Sequence, residues 1–87
     1  MMDIKRILII EPDSRVTNEY LSFFRNNDYD MDTTSCITKA VERIENVHFD
    51  CIIMDVNLPE MKGYEAVKIL KTIDPKIQVI ITAAENT

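Results

Sequence analysis

One aspartate constrains this sequence more than any other feature. It ends an apolar run and is followed at fixed offsets by an asparagine, a proline and the only glycine of the chain. The segment reads Cys51-Ile52-Ile53-Met54-Asp55-Val56-Asn57-Leu58-Pro59-Glu60-Met61-Lys62-Gly63. An uninterrupted apolar run bounded by turn residues is the pattern of a strand buried on both faces. Open α/β sheets place their ligand sites beyond the carboxyl ends of their strands, so a carboxylate closing such a strand lies where chemistry is done. Pro59 and Gly63 punctuate a loop, and a helical pattern follows.

The rest of the chain alternates between the same two periods. Ile4 to Ile10 reads as a first strand. After Glu11-Pro12-Asp13-Ser14, the spacing of Val16, Tyr20, Phe23 and Phe24 gives a helix with one apolar stripe, which makes those aromatics core or core-flanking residues. Asp13 or Ser14 is its candidate cap, and Asn26-Asn27-Asp28 ends it. Tyr29 to Thr34 alternates polar and apolar residues, as a strand with one wet face at a sheet edge does. Ile37, Ala40, Val41 and Ile44 mark a second helix with Ser35 as candidate cap. Asp50 to Met54 is the third strand. Gly63 to Ile73 is a third helix, with Ala66, Val67, Leu70 and Ile73 facing inward and Asp74-Pro75 ending it. Ile77 to Thr82 is the fourth strand. This order argues for right-handed crossovers and a parallel sheet.

Composition narrows the function classes. Eighty-seven residues with 46% hydrophobic content allow one small domain with a core of its own. A net charge of −5 supplies no basic stripe for nucleic acid and no attraction to an anionic membrane surface. The apolar runs are too short for a membrane span or a signal peptide, which points to the cytoplasm. Two cysteines and one histidine do not make a zinc site of ordinary spacing. Cys51 reads as a small buried hydrophobe and His48 as a surface loop residue. A single glycine excludes a P-loop and a dinucleotide fingerprint, and no G-x-S-x-G exists for a serine hydrolase.

Polar groups remain at the strand ends: Glu11 and Asp13 after the first, Asp55 after the third, Thr82 closing the fourth. Carboxylates converging on one crevice suit a hard divalent cation, Mg2+ above all, held by oxygens and water. A carboxylate beside such a cation can act as a nucleophile towards a phosphoryl group, with a hydroxyl such as that of Thr82 donating to the incoming oxygens.

Ile7 to Asp13, Asp50 to Gly63 and Val79-Ile80-Ile81-Thr82-Ala83 together resemble the receiver domain of two-component response regulators, in order and over essentially the whole chain. The resemblance implies a CheY-like, flavodoxin-like α/β fold, a doubly wound parallel sheet of strand order 2-1-3-4. It makes residues 1–87 one receiver domain. It implies Asp55 as acceptor of a phosphoryl group from the phosphohistidine of a sensor histidine kinase or phosphotransfer protein. Mg2+ is then held by Glu11, Asp55 and the backbone carbonyl of Asn57. Thr82 swings its hydroxyl towards the phosphoryl group and passes the change to an effector domain or downstream protein. Such a domain assists its own phosphorylation without being a turnover enzyme.

Two departures from the family pattern stand out. Pro12 replaces one of two adjacent acids, which leaves Asp13 or water as substitute ligand and weakens the expected Mg2+ binding. The sequence also stops shortly after the fourth strand, so the receiver is expected to be incomplete at its C-terminus, lacking the family's last helix, strand and helix and the lysine on that strand. Lys62 reads as solvated rather than as a replacement. With its fourth strand at a sheet edge, the chain is expected to dimerise or aggregate. The competing reading is a pseudo-receiver that works by protein–protein contact without phosphorylation. A metal-dependent phosphatase would need a second acid where Asn57 stands.

Overall fold

The computed structural model describes residues 6–25 and 27–83. Seven elements alternate along them: β1 (Arg6–Ile10), α1 (Ser14–Phe24), β2 (Asp30–Thr34), α2 (Ile37–Asn46), β3 (Cys51–Asp55), α3 (Gly63–Ile73) and β4 (Gln78–Thr82). The strands form one parallel sheet in the order β2-β1-β3-β4. Residues 4 and 5 of the expected first strand, and Asn26 of the expected helix terminator, lie outside the described residues.

Successive side chains of a strand point to opposite faces, and the two central strands are apolar on both. Leu8, Ile10, Ile52 and Met54 face α2 and α3, where they pack with Ile37, Ala40, Ala66 and Leu70. Ile7, Ile9, Cys51 and Ile53 face the other way, against Tyr20 and Phe24 of α1 and Met31 of β2. This two-sided burial is what the Cys51–Met54 run required. Cys51 itself is buried, and the loss of hydration pushes its thiol above the ordinary range, so it behaves as a small hydrophobe.

Three local expectations need correction. Tyr20 and Phe24 flank the core, but Phe23 is 76% exposed, its ring meeting that of Phe24 in a T-shaped contact, 5.1 Å between centroids. The cause is topological: the sheet has α2 and α3 on one face, while α1 lies on the other and its flanks meet solvent. The alternation in β2 is also imperfect. Asp32 is half-buried because Arg43 of α2 reaches across to it, while Thr33 is exposed. Lastly, Ser35 does not cap α2. Cys36 holds the cap position, without a side-chain hydrogen bond.

Gly63 is fixed by close approach rather than by an unusual dihedral angle. A Cβ built there would lie 2.9 Å from the Cα of Val56 and 3.1 Å from its carbonyl oxygen. Only a glycine lets the start of α3 press against the chain just beyond Asp55.

Candidate functional site

The carboxyl ends of β1, β3 and β4 form one polar mouth. Asp55 is the last residue of β3 rather than the first beyond it, one position later than the sequence pattern suggests. It pairs directly with Thr82 on β4. On its other side Met54 pairs with Ile10, which puts Glu11 at the adjoining end of β1. Parallel pairing thus brings together residues 44 and 27 positions apart in sequence.

Asp55 is half-buried, and its Oδ1 accepts the Asn57 N–H at 3.3 Å. Its other oxygen accepts no hydrogen bond among the described residues. Glu11 is the one buried charged residue described, 8% exposed, with Oε2 accepting the Asp13 N–H at 3.1 Å. Its carboxyl is pushed above the usual range, first by burial and then by the charges of Asp55 and Asp13, against the lowering effect of that hydrogen bond. A carboxylate whose charge is disfavoured by burial and by its acidic neighbours favours a cation for the same reason.

Asp13 behaves differently. It caps α1 by accepting the Arg15 N–H at 2.9 Å, and the Arg15 guanidinium holds its carboxyl below the usual range. The guanidinium contacts are 3.1 and 3.3 Å long. Its charge is therefore engaged at the helix start. Among the described residues, no three histidine, cysteine, aspartate or glutamate side chains gather as a metal cluster. The donors that fit Mg2+ are two carboxylates, Glu11 and Asp55, and the neighbouring carbonyl of Asn57; the rest of the hard-oxygen shell would be water.

Thr82 is half-buried, and its hydroxyl donates to the Met54 carbonyl at 3.3 Å while its own carbonyl accepts the Val56 N–H at 2.8 Å. The loop after β3 closes on itself. Gly63 N–H donates to the Val56 carbonyl at 2.7 Å, Asn57 and Lys62 form an isolated antiparallel bridge, and Lys62 Nζ stands 3.5 Å from Asn57 Oδ1. Sequence reasoning missed Glu60, whose carboxylate caps α2 from this loop. Its partners lie 22 and 23 positions away, and no local pattern signals such a contact.

The model of the response regulator receiver domain matches residues 7–87. The chain belongs to the response regulator receiver family. Among curated proteins, it is 28% identical over 76 residues to the cell cycle response regulator CtrA of Brucella ovis, covering 87% of this chain and 33% of that protein. It thus spans about a third of the length of the curated relatives it matches. Among solved structures, a CheY-like receiver domain protein from Methanospirillum hungatei JF-1 superposes with a TM-score of 0.87 at 22% identity, over 98% of this chain and 68% of that one. The receiver domain of a LuxO repressor protein from Vibrio parahaemolyticus gives 0.86 at 25% identity, over 98% and 65%. The receiver fold, strand order included, is the one read from the sequence. No helix among the described residues is long and apolar enough to cross a membrane.

Proposed function

We propose that this receiver domain is a phosphoacceptor of a two-component phosphorelay, working in the cytoplasm and taking a phosphoryl group from a sensor histidine kinase or phosphotransfer protein onto Asp55. The observation that carries the reading is the setting of Asp55. One carboxylate oxygen is held by the Asn57 N–H, the other accepts no hydrogen bond among the described residues, and Glu11 and Thr82 stand at the ends of the flanking strands. An Asp55 oxygen attacks phosphorus and the P–N bond to the donor imidazole breaks; that imidazole carries a proton on its other ring nitrogen, so it leaves with the bond's electron pair as a neutral ring. The product is an acyl phosphate and a neutral histidine. Mg2+ bound by Glu11, Asp55 and the Asn57 carbonyl would supply charge compensation at the incoming oxygens.

Thr82 supports a switching role. Its hydroxyl now donates to a neutral carbonyl and can turn to an anionic phosphoryl oxygen on the neighbouring strand position. The domain is a stoichiometric acceptor in this reading, not an enzyme with a small-molecule substrate. Its output passes to an effector domain or a downstream protein, with no nucleic acid or membrane contacted directly.

Pro12 and the Asp13–Arg15 pair favour one second reading, a pseudo-receiver that acts by protein contact without phosphorylation. Acetyl phosphate with Mg2+, followed by intact-mass measurement, separates the two. One phosphoryl group added to the wild type and none to Asp55→Asn supports the phosphoacceptor. Equal labelling of both refutes Asp55, and no labelling of folded protein favours the pseudo-receiver.

A further inference from the structure

Glu60 has no part in the chemistry described so far, yet it makes the principal polar contact between the loop after β3 and another element. Its Oε1 accepts the Ile37 N–H at 2.8 Å. Its Oε2 accepts the Thr38 hydroxyl at 2.6 Å and the Thr38 N–H at 3.3 Å. These are donors at the start of α2, which its own cap residue, Cys36, leaves without a side-chain acceptor. The Thr38 and Ile37 bonds also hold the Glu60 carboxyl below the usual range, so it is ionised at neutral pH.

The other end of the same loop is fixed as well. Val56 is bonded to Thr82 on one side and to Gly63 on the other. Leu58 is buried midway, in the core beneath α2 and α3. Between these anchors stands Asn57, whose N–H orients Asp55. Asn57 is bridged across the loop to Lys62, two positions beyond Glu60, so releasing the crown at Glu60 would loosen the limb against which the Asn57 N–H and carbonyl are held.

We propose that Glu60 is a positioning residue for phosphoryl acceptance: it latches the loop after β3 to the start of α2 and so fixes Asn57 beside Asp55. The inference rests on the phosphoacceptor reading of Asp55. A purely structural role would be to cap α2 and nothing more, and the two are separable because Cys36 is extended, with φ −151° and ψ 163°. An aspartate at that position can cap α2 from within the helix's own segment, without tying the loop to it.

The experiment compares wild type, Glu60→Ala and the double variant Glu60→Ala/Cys36→Asp, reading melting temperature and the Mg2+ dependence of labelling by acetyl phosphate. Glu60→Ala should raise the half-saturating Mg2+ concentration about tenfold, the low end of what supports of metal ligands are worth. The double variant should regain the melting temperature and keep the weakened Mg2+ dependence. Glu60→Gln, which retains one acceptor oxygen, should fall between wild type and alanine and serves if alanine fails to fold. Recovery of both properties in the double variant overturns the proposal, as does wild-type Mg2+ dependence in Glu60→Ala. A wild type that takes no label overturns the phosphoacceptor reading and the role of Glu60 in it together. Hydrogen exchange then still tells the latch apart: faster exchange of the Asn57 and Gly63 amides in the double variant shows that it exists, and unchanged exchange shows that it does not.

Discussion

Replacing Gly63 by alanine is the sharpest structural test of how the site is built. The added Cβ would meet the Val56 Cα at 2.9 Å, its oxygen at 3.1 Å and its carbonyl carbon at 3.4 Å. All three are backbone atoms, and Val56 is tethered to both Thr82 and Gly63, so neither side can yield by turning a rotamer. The start of α3 must shift by a few tenths of an ångström. Overpacking of this kind costs about 1–3 kcal/mol. Against it stands the better helix propensity of alanine, at most about 1 kcal/mol. The φ of Gly63 is not positive, so no dihedral strain adds to the balance. The net effect is a loss of about 1–2 kcal/mol, equivalent to about 5–15 °C in melting temperature for a domain of this size. Urea and thermal denaturation measure it, with exposed Tyr64→Ala as a neighbour that should stay within about 0.5 kcal/mol. A Gly63→Ala protein as stable as wild type would refute the argument that close approach selects this glycine.

Four further outcomes are expected from the mouth and the sheet. Pro12→Asp should speed labelling by acetyl phosphate by adding a carboxylate beside Glu11; an unchanged rate would remove the metal from the explanation. Glu11→Gln should be more stable than wild type at pH 7 in the absence of Mg2+. The Glu11 carboxyl titrates above its unfolded value, so its penalty is absent below that value and grows as pH rises through the folded pKa; equal stabilities across pH 4–8 would contradict this. Mg2+ should raise the melting temperature of wild type more than that of Glu11→Gln. Finally, among the described residues β4 pairs only with β3, and its Ile80 and Ile81 are 52% and 43% exposed on a strand without charge or proline. The 87-residue chain should therefore self-associate at low micromolar concentration, through an edge whose burial is worth about 25 cal/mol per Å². A compact monomer in sedimentation would show that this edge is tolerated.

Much of this architecture was legible because it follows from period and punctuation. The Cys51–Met54 run demanded two covered faces and has them, and Gly63 opened a helix whose length the apolar spacing gave correctly. Asp55, Glu11 and Thr82 come together through the strand order, which the family resemblance implied and periodicity alone does not. What escaped depended on contacts that periodicity does not encode. The stripe on α1 identified apolar positions, but not that Phe23 would flank solvent on a face covered by one helix. Asp13 was legible as a cap, while its pairing with Arg15, which engages its charge, depends on side-chain reach. The cap of α2 was sought next to the helix and came from a loop 22 to 23 residues away.

The hydroxyl of Thr82 carries a consequence for how decisively such a domain could respond. It already has an acceptor in the Met54 carbonyl. Turning to a charged acceptor exchanges a bond worth about 0.5–1.5 kcal/mol for one worth about 1.5–3 kcal/mol, a difference of about 1–2 kcal/mol. That tilts a two-state balance by a factor of about 5–30, whereas moving it from 1:99 to 99:1 takes about 5.5 kcal/mol. In the proposed phosphoacceptor the threonine alone would therefore grade the response, and a full reversal would need a partner that binds one arrangement in preference to the other.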